Sequence, residues 1–233
     1  MKAMLLAAGR GERMRPLSDD TPKPLLEAGG KPLIVWQIER LARGGFADII
    51  INYAHLGQMI ESALGDGSRY GARIRYSPEV EALETAGGIA NALHLLGDGP
   101  FAAVSADIYT DFPYATLQSH VERIARAPDR AIAHFVLTDN PDFHPQGDMG
   151  LVDGVVTMDS PRLNYGNIAV LHPRLFDGVP RGARAKLFPP MFEDVRRGKV
   201  TGEHYRGRWF NIGTPAHLVA LDTLLKDESR VRT

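Results

Sequence analysis

Apolar and polar positions change period repeatedly along the first hundred residues. Residues 2–8 form a short apolar run read as a buried strand. Residues 32–43, PLIVWQIERLAR, space their apolar side chains at helical intervals. Pro32 suits a first helical turn, and Gly44-Gly45 suits the end. The β-branched run 48–52, DIIIN, predicts a buried strand. A helix near 56–64, a strand at 72–76, a helix at 87–96 and a strand at 101–106 follow, the last ending on Asp107. This alternation predicts an α/β fold with a mostly parallel sheet flanked by helices.

The second half reads differently. Residues 130–137 and 164–171 are apolar strands. Residues 151–152 and 155–158 flank Asp153-Gly154, a favourable hairpin turn. Residues 186–197 and 215–225 read as helices. The strand-rich stretch 130–172 is expected to form a small insertion over the ligand edge of the sheet. No linker interrupts the pattern, so one domain is expected over 1–233.

The loop after the first strand carries the chemistry. Residues 5–26 read LLAAGRGERMRPLSDDTPKPLL. Small residues at Ala7, Ala8, Gly9 and Gly11 let the backbone approach a ligand and aim several N–H groups at one anion. Arg13, Arg15 and Lys23 bring three positive charges to the same loop. The pattern suits a nucleoside triphosphate. It is not a Walker loop, because G-x-x-x-x-G-K-[ST] is absent. It is not a dinucleotide fingerprint either, because Met14 stands where the third glycine or alanine belongs.

This run resembles the L-A-A-G-x-G-x-R-[ML]-x-P-x(5)-P-K signature of sugar-1-phosphate nucleotidyltransferases. The resemblance implies a Rossmann-like, GT-A-like fold. It also implies transfer of a nucleotidyl group from a nucleoside triphosphate to a sugar 1-phosphate with Mg²⁺ as cofactor. Under it, the Gly-rich loop with Glu12 holds the triphosphate, and Arg13 and Lys23 act on the phosphates in the transfer step. Asp107 becomes a metal ligand. Trp209 to Pro215 resembles W-x-D-[IV]-G-T-P, with Asn211 in the place of the usual Asp as a second ligand of reduced charge. Leu83 to Ile89 resembles the segment between base and sugar, so Ala86 and Gly87 are assigned to the nucleotide and Glu84 and Thr85 to the sugar. Tyr165, Asn167 and Lys186 complete the sugar side, with Lys186 holding the incoming phosphate. Within the family the likeness is nearest to short, single-domain uridylyltransferases acting on N-acetylmuramate 1-phosphate in cell-wall recycling. The same chemistry on another base and sugar, or a nucleotide-sensing module without turnover, are the alternative expectations.

Composition adds exclusions. A net charge of −1 offers no basic surface for nucleic acid or an acidic membrane. No apolar run approaches the roughly 18 residues of a membrane span. The absence of cysteine excludes disulfides and Cys-ligated metals and fits a cytoplasmic protein. The first residues enter a strand at once, so no leader is expected, and no room is left for a C-terminal β-helix acyltransferase domain. The eight histidines are scattered, and their spacing argues against zinc chemistry. Oligomeric state is not readable from the chain.

Overall fold

A computed structural model describes residues 1–231. The strands are β1 (Lys2–Leu6), β2 (Glu27–Ala28), β3 (Lys31–Pro32), β4 (Asp48–Tyr53), β5 (Arg73–Pro78), β6 (Phe101–Ser105), β7 (Ile108–Thr110), β8 (Ala133–Thr138), β9 (Met149–Val152), β10 (Val155–Thr157), β11 (Arg162–Leu171), β12 (Val200–Tyr205) and β13 (Trp209–Asn211). The helices are α1 (Leu17–Asp20), α2 (Leu33–Arg43), α3 (Gly57–Leu64), α4 (Glu84–Leu96), α5 (Leu117–Arg126), α6 (Phe192–Arg196) and α7 (Pro215–Val231).

Nine strands form one sheet in the order β5-β4-β1-β6-β11-β8-β12-β10-β9. The β5-β4-β1-β6 half is parallel. Beyond it, β11 runs antiparallel to both β6 and β8, and only β12 is parallel to its neighbour β8. The sheet is therefore mixed rather than mostly parallel. The strand-rich second half continues this sheet, and its last hairpin, β9-β10, folds back so that β9 also pairs antiparallel with β11. Asp153 and Gly154 at that hairpin both have positive φ, as the two-residue turn requires.

Alternation along β1 divides the core. Ala3 and Leu5 face α2, α3 and α5, whereas Met4 faces α4. A third cluster seats α7 against Met14, Leu33, Tyr109 and Ile212. The helix expected over 186–197 shrinks to Phe192–Arg196, because Pro189 and Pro190 interrupt it. Residues 186–191 are instead loop. No expectation from the sequence covered α5, β12 or β13.

Two buried polar networks fix the ligand edge. Gln37 of α2 is fully buried, donates to the Ile108 carbonyl at 2.6 Å and accepts from the Tyr114 hydroxyl at 2.5 Å. This holds β7, directly after Asp107. On the other side, Asn52 at the end of β4 accepts from the Ala7 N–H at 2.9 Å and donates to Glu79 Oε1 at 2.7 Å. Glu79 Oε2 accepts from the Leu83 N–H at 2.9 Å. One buried pair of side chains thus ties the Gly-rich loop to the start of α4. A Cβ on Gly88 would lie 2.7 Å from both Asn52 and Glu79, so glycine is needed for this approach.

Burial raises the Glu79 pKa above its ordinary value, with the Leu83 and Asn52 hydrogen bonds opposing it. The folded state therefore takes up this proton more readily than the unfolded chain. The stabilisation is complete below the unfolded pKa of about 4.3 and is lost as pH rises through the folded value. Glu79→Gln should accordingly flatten the dependence of unfolding free energy on pH in the mildly acidic range. Urea titrations across that range test this, and a dependence equal to wild type contradicts it.

Candidate active site

The two clefts that carry the candidate residues open beyond the C-terminal ends of β1 and β6, where ligands gather in open α/β sheets. The chain after β1 passes through Gly11, whose φ of 70° favours glycine. The Gly11 carbonyl accepts from Ser18 Oγ and from the Met14 N–H, each at 2.8 Å, which curls the loop into a short 3₁₀ turn at Glu12–Met14. The resulting cleft measures about 570 Å³ and is lined by Ala7, Gly9, Gly11, Glu12, Arg13 and Lys23, with Asp107 and Gly213 opposite. Arg10 also reaches it and was not anticipated.

Lys23 is only 8% exposed, and its Nζ lies 2.5 Å from Asp107 Oδ2. This ion pair joins the loop after β1 to the turn after β6. Arg13 forms no ion pair or hydrogen bond with a described residue, and its guanidinium faces Gly213, where a Cβ would lie 3.5 Å from Nη2. The first cleft therefore contains one compensated cation, Lys23, and two without an ion-pair partner among the described residues, Arg10 and Arg13.

A second cleft of about 600 Å³ adjoins the first, and Leu6 and Ser105 line both. It contains Glu84, Thr85, Tyr165, Asn167 and Lys186. Lys186 likewise has no ion-pair partner among the described residues. Two non-glycine residues here take positive φ: Glu84 at 63° and Asn167 at 57°. Asn167 sits where the β11–β8 register shifts, between Tyr165 and Ile168. Backbone strain of this kind concentrates at ligand sites. Asp148 accepts from the Tyr165 N–H at 2.7 Å and lies 3.1 Å from His144 Nε2, which anchors the loop before β9 to this cleft.

Several expected residues lie elsewhere. Ala8 lines neither cleft, and neither do Ala86 and Gly87. The Gly87 N–H donates to the Ala185 carbonyl at 3.0 Å, and a Cβ there would lie 2.3 Å from the Ala183 carbonyl. Gly87 thus seats the loop that presents Lys186. Asn211 lines an apolar groove with Phe143, Phe210 and His217 instead of the Gly-rich cleft. It remains near Asp107 through β13: the Ile212 N–H donates to the Asp107 carbonyl at 2.9 Å. Sequence reasoning missed Phe143, His144, Asp148 and Phe188 in the second cleft. No local pattern marks them, because strand order alone brings their loops together. Arg184 was also missed, and it pairs with Glu84 at 2.8 Å.

Residues 2–145 match the nucleotidyl transferase family model. The chain is 47% identical to the N-acetylmuramate alpha-1-phosphate uridylyltransferase of Neisseria meningitidis serogroup B, over 94% of this chain and 95% of that one. It is 33% identical to the protein of the same name from Caulobacter vibrioides, over 97% of each. In fold it is similar to a putative glucose-1-phosphate thymidylyltransferase from Bacillus anthracis, solved in complex with sucrose, with a TM-score of 0.81 at 21% identity over 97% of this chain and 96% of that one. With a Gly-rich loop facing Asp107 at the end of the parallel strands, the chain belongs to the nucleotidyl transferase family.

Proposed function

We propose that this single-domain chain transfers a uridylyl group from UTP to N-acetyl-α-muramate 1-phosphate, giving the UDP-sugar and pyrophosphate. The observation that carries the reading is the pair of adjoining clefts, each with an uncompensated cation, meeting at Leu6 and Ser105. Similarity along nearly the full length to two uridylyltransferases supports the choice of base and sugar. The reaction would place the chain in the cytoplasm, where UTP is available, and in cell-wall recycling.

A phosphate oxygen of the sugar 1-phosphate attacks the α-phosphorus of UTP. The bond from that phosphorus to the bridging oxygen breaks, and pyrophosphate leaves with the electron pair. The second pKa of such a phosphate is about 6, so the nucleophile is already anionic at neutral pH and needs no general base. The work is alignment and charge stabilisation. Loop N–H groups and Arg13 receive the triphosphate, while Lys186 holds the acceptor phosphate across the boundary. Lys23 is held in place by Asp107, so its donors are positioned before substrate arrives. Phe143, Phe188 and Phe192 give the acceptor cleft an apolar wall suited to the acetyl and lactyl methyl groups.

The donors near the boundary fit Mg²⁺. A carboxylate and an amide are hard oxygen ligands, and this ion takes few protein ligands beside phosphate oxygens. Asp107 would hold it, and Asn211, which lines the neighbouring groove in this structure, would have to turn toward the cleft to add a neutral second ligand. When bound, the ion neutralises charge on the reacting phosphates.

Three outcomes test this reading. Pyrophosphate release with Mg²⁺, assayed with five nucleoside triphosphates against a panel of sugar 1-phosphates, should be greatest for UTP with N-acetylmuramate 1-phosphate. A different preferred pair would retain the chemistry and discard the substrates, and UTP binding without any release would discard the enzyme reading. Arg13→Ala should lower kcat/KM by about 10²-fold with an unchanged melting temperature, whereas Lys186→Ala should raise KM for the sugar phosphate and leave KM for UTP alone. Asn211→Asp should hold or tighten Mg²⁺ binding, measured by activity against metal concentration, and a large loss would remove Asn211 from the ligand set.

A further inference from the structure

Away from both clefts, His120 of α5, His134 of β8 and Glu203 of β12 bring their nitrogen and carboxylate oxygen atoms within 4.8 Å of one another. His134 pairs in register with Val170, and Val170 with Ala102. The cluster therefore lies two strands over from β6 and three residues back from Ser105, under α5. It has no part in the nucleotidyl transfer described above.

The hydrogen bonds around this cluster admit a tautomer of His134 that aims a lone pair at Glu203. The Thr201 hydroxyl can donate to the Ala133 carbonyl at 3.3 Å and accepts from Arg123 Nη2 at 2.9 Å. Its single proton goes either to that carbonyl or to His134 Nδ1, 3.0 Å away, and in the first case the hydroxyl accepts from Nδ1. A neutral His134 then presents the lone pair of Nε2, and Nε2 faces Glu203 Oε1 at 3.3 Å. In that tautomer two acceptors oppose each other beside a histidine that is only 2% exposed. The His120 ring stacks on His134 with centroids 3.5 Å apart and planes 15° apart, so a second imidazole lies close by but must turn before its lone pair can meet an ion at Nε2. A proton or a metal ion between Nε2 and Oε1 would satisfy both.

The geometry points to a binding site for a borderline divalent transition-metal ion such as Zn²⁺, with His134 Nε2, Glu203 and His120 as ligands and water in the remaining position. Imidazole and carboxylate donors suit such an ion. By accepting from His134 Nδ1, the Thr201 hydroxyl would hold the ring in the orientation a metal-bound histidine needs. His120 Nδ1 currently accepts from Arg123 Nη2 at 2.9 Å. Arg123 is exposed and His120 half-buried at the helix surface, so the guanidinium can swing outward as the imidazole turns to the ion. Occupancy would clamp α5 to β8 and β12, the strand that leads into β13 beside Asp107. The role is structural and separate from the phosphate chemistry.

The test uses untagged full-length protein stripped with EDTA, Zn²⁺ alone as the probe, and native mass spectrometry with thermal melting as readouts. Wild type should retain one Zn²⁺ per chain in excess Mg²⁺ and melt at a higher temperature with it. His120→Gln and Glu203→Gln, both at half-exposed positions, should weaken Zn²⁺ binding by more than about 10-fold. Asp107→Asn should leave it unchanged, and Co²⁺ substitution should give a visible absorption band that the two cluster variants lose. Failure of wild type to retain Zn²⁺ would mean that a proton on His134 satisfies the cluster, and retention lost in Asp107→Asn but kept in the cluster variants would assign the ion to the active site. Either result overturns the proposal.

Discussion

The ion pair between Lys23 and Asp107 is the constraint around which the ligand edge is organised. An ammonium held to 8% exposure is costly without a counter-charge, and the carboxylate 2.5 Å away supplies one. The pair spans 84 residues of chain and joins the loop after β1 to the turn after β6. Those strands are already parallel neighbours, so the link costs little extra order. In return it places a fixed positive group beside the Gly-rich backbone. Removing either partner would strand a charge, which explains why a residue suited to phosphate also serves the fold.

The networks on either side extend this logic. Gln37 satisfies the Ile108 carbonyl from beneath, and Asn52 with Glu79 ties Ala7 to Leu83. Each uses a polar side chain buried in an otherwise apolar layer, and each has its hydrogen bonds satisfied. Together they set the spacing between the loop after β1, the turn after β6 and the first turn of α4. The two clefts share Leu6 and Ser105 because these three segments converge there. The positive φ of Glu84 and Asn167 shows the same priority at the second cleft, where unfavourable backbone is tolerated within a well-fixed frame.

Much of this was legible in the chain. Period-2 and period-3.6 patterning placed the first-half strands and helices to within a few residues, because each buries one face against a single sheet. The Gly-rich loop was readable because its residue types are dictated by local needs: positive φ at Gly11, and free N–H groups with nearby cations. Asp107 was readable because it follows an apolar run. The expected helix at 186–197 failed at Pro189-Pro190, where apolar spacing outweighed a local veto in the reading. Gly87 looked like a ligand-contacting glycine and instead makes room for the Ala183 carbonyl, since a glycine looks alike in sequence whatever approaches it.

The sequence by itself determined the fold class, the family and the place of the Gly-rich loop, all of which rest on residues close together along the chain. Tertiary structure alone decided that the sheet is mixed, that Phe143, His144 and Asp148 reach the second cleft, and that Asn211 lines a groove beside Asp107 instead of the loop. It also decided that three scattered residues, His120, His134 and Glu203, meet under α5. The physical reason is the same in each case. These neighbours lie on different strands, helices and loops, and strand order and register, which place them together, follow from packing over the whole sheet and leave no periodic mark on any one segment.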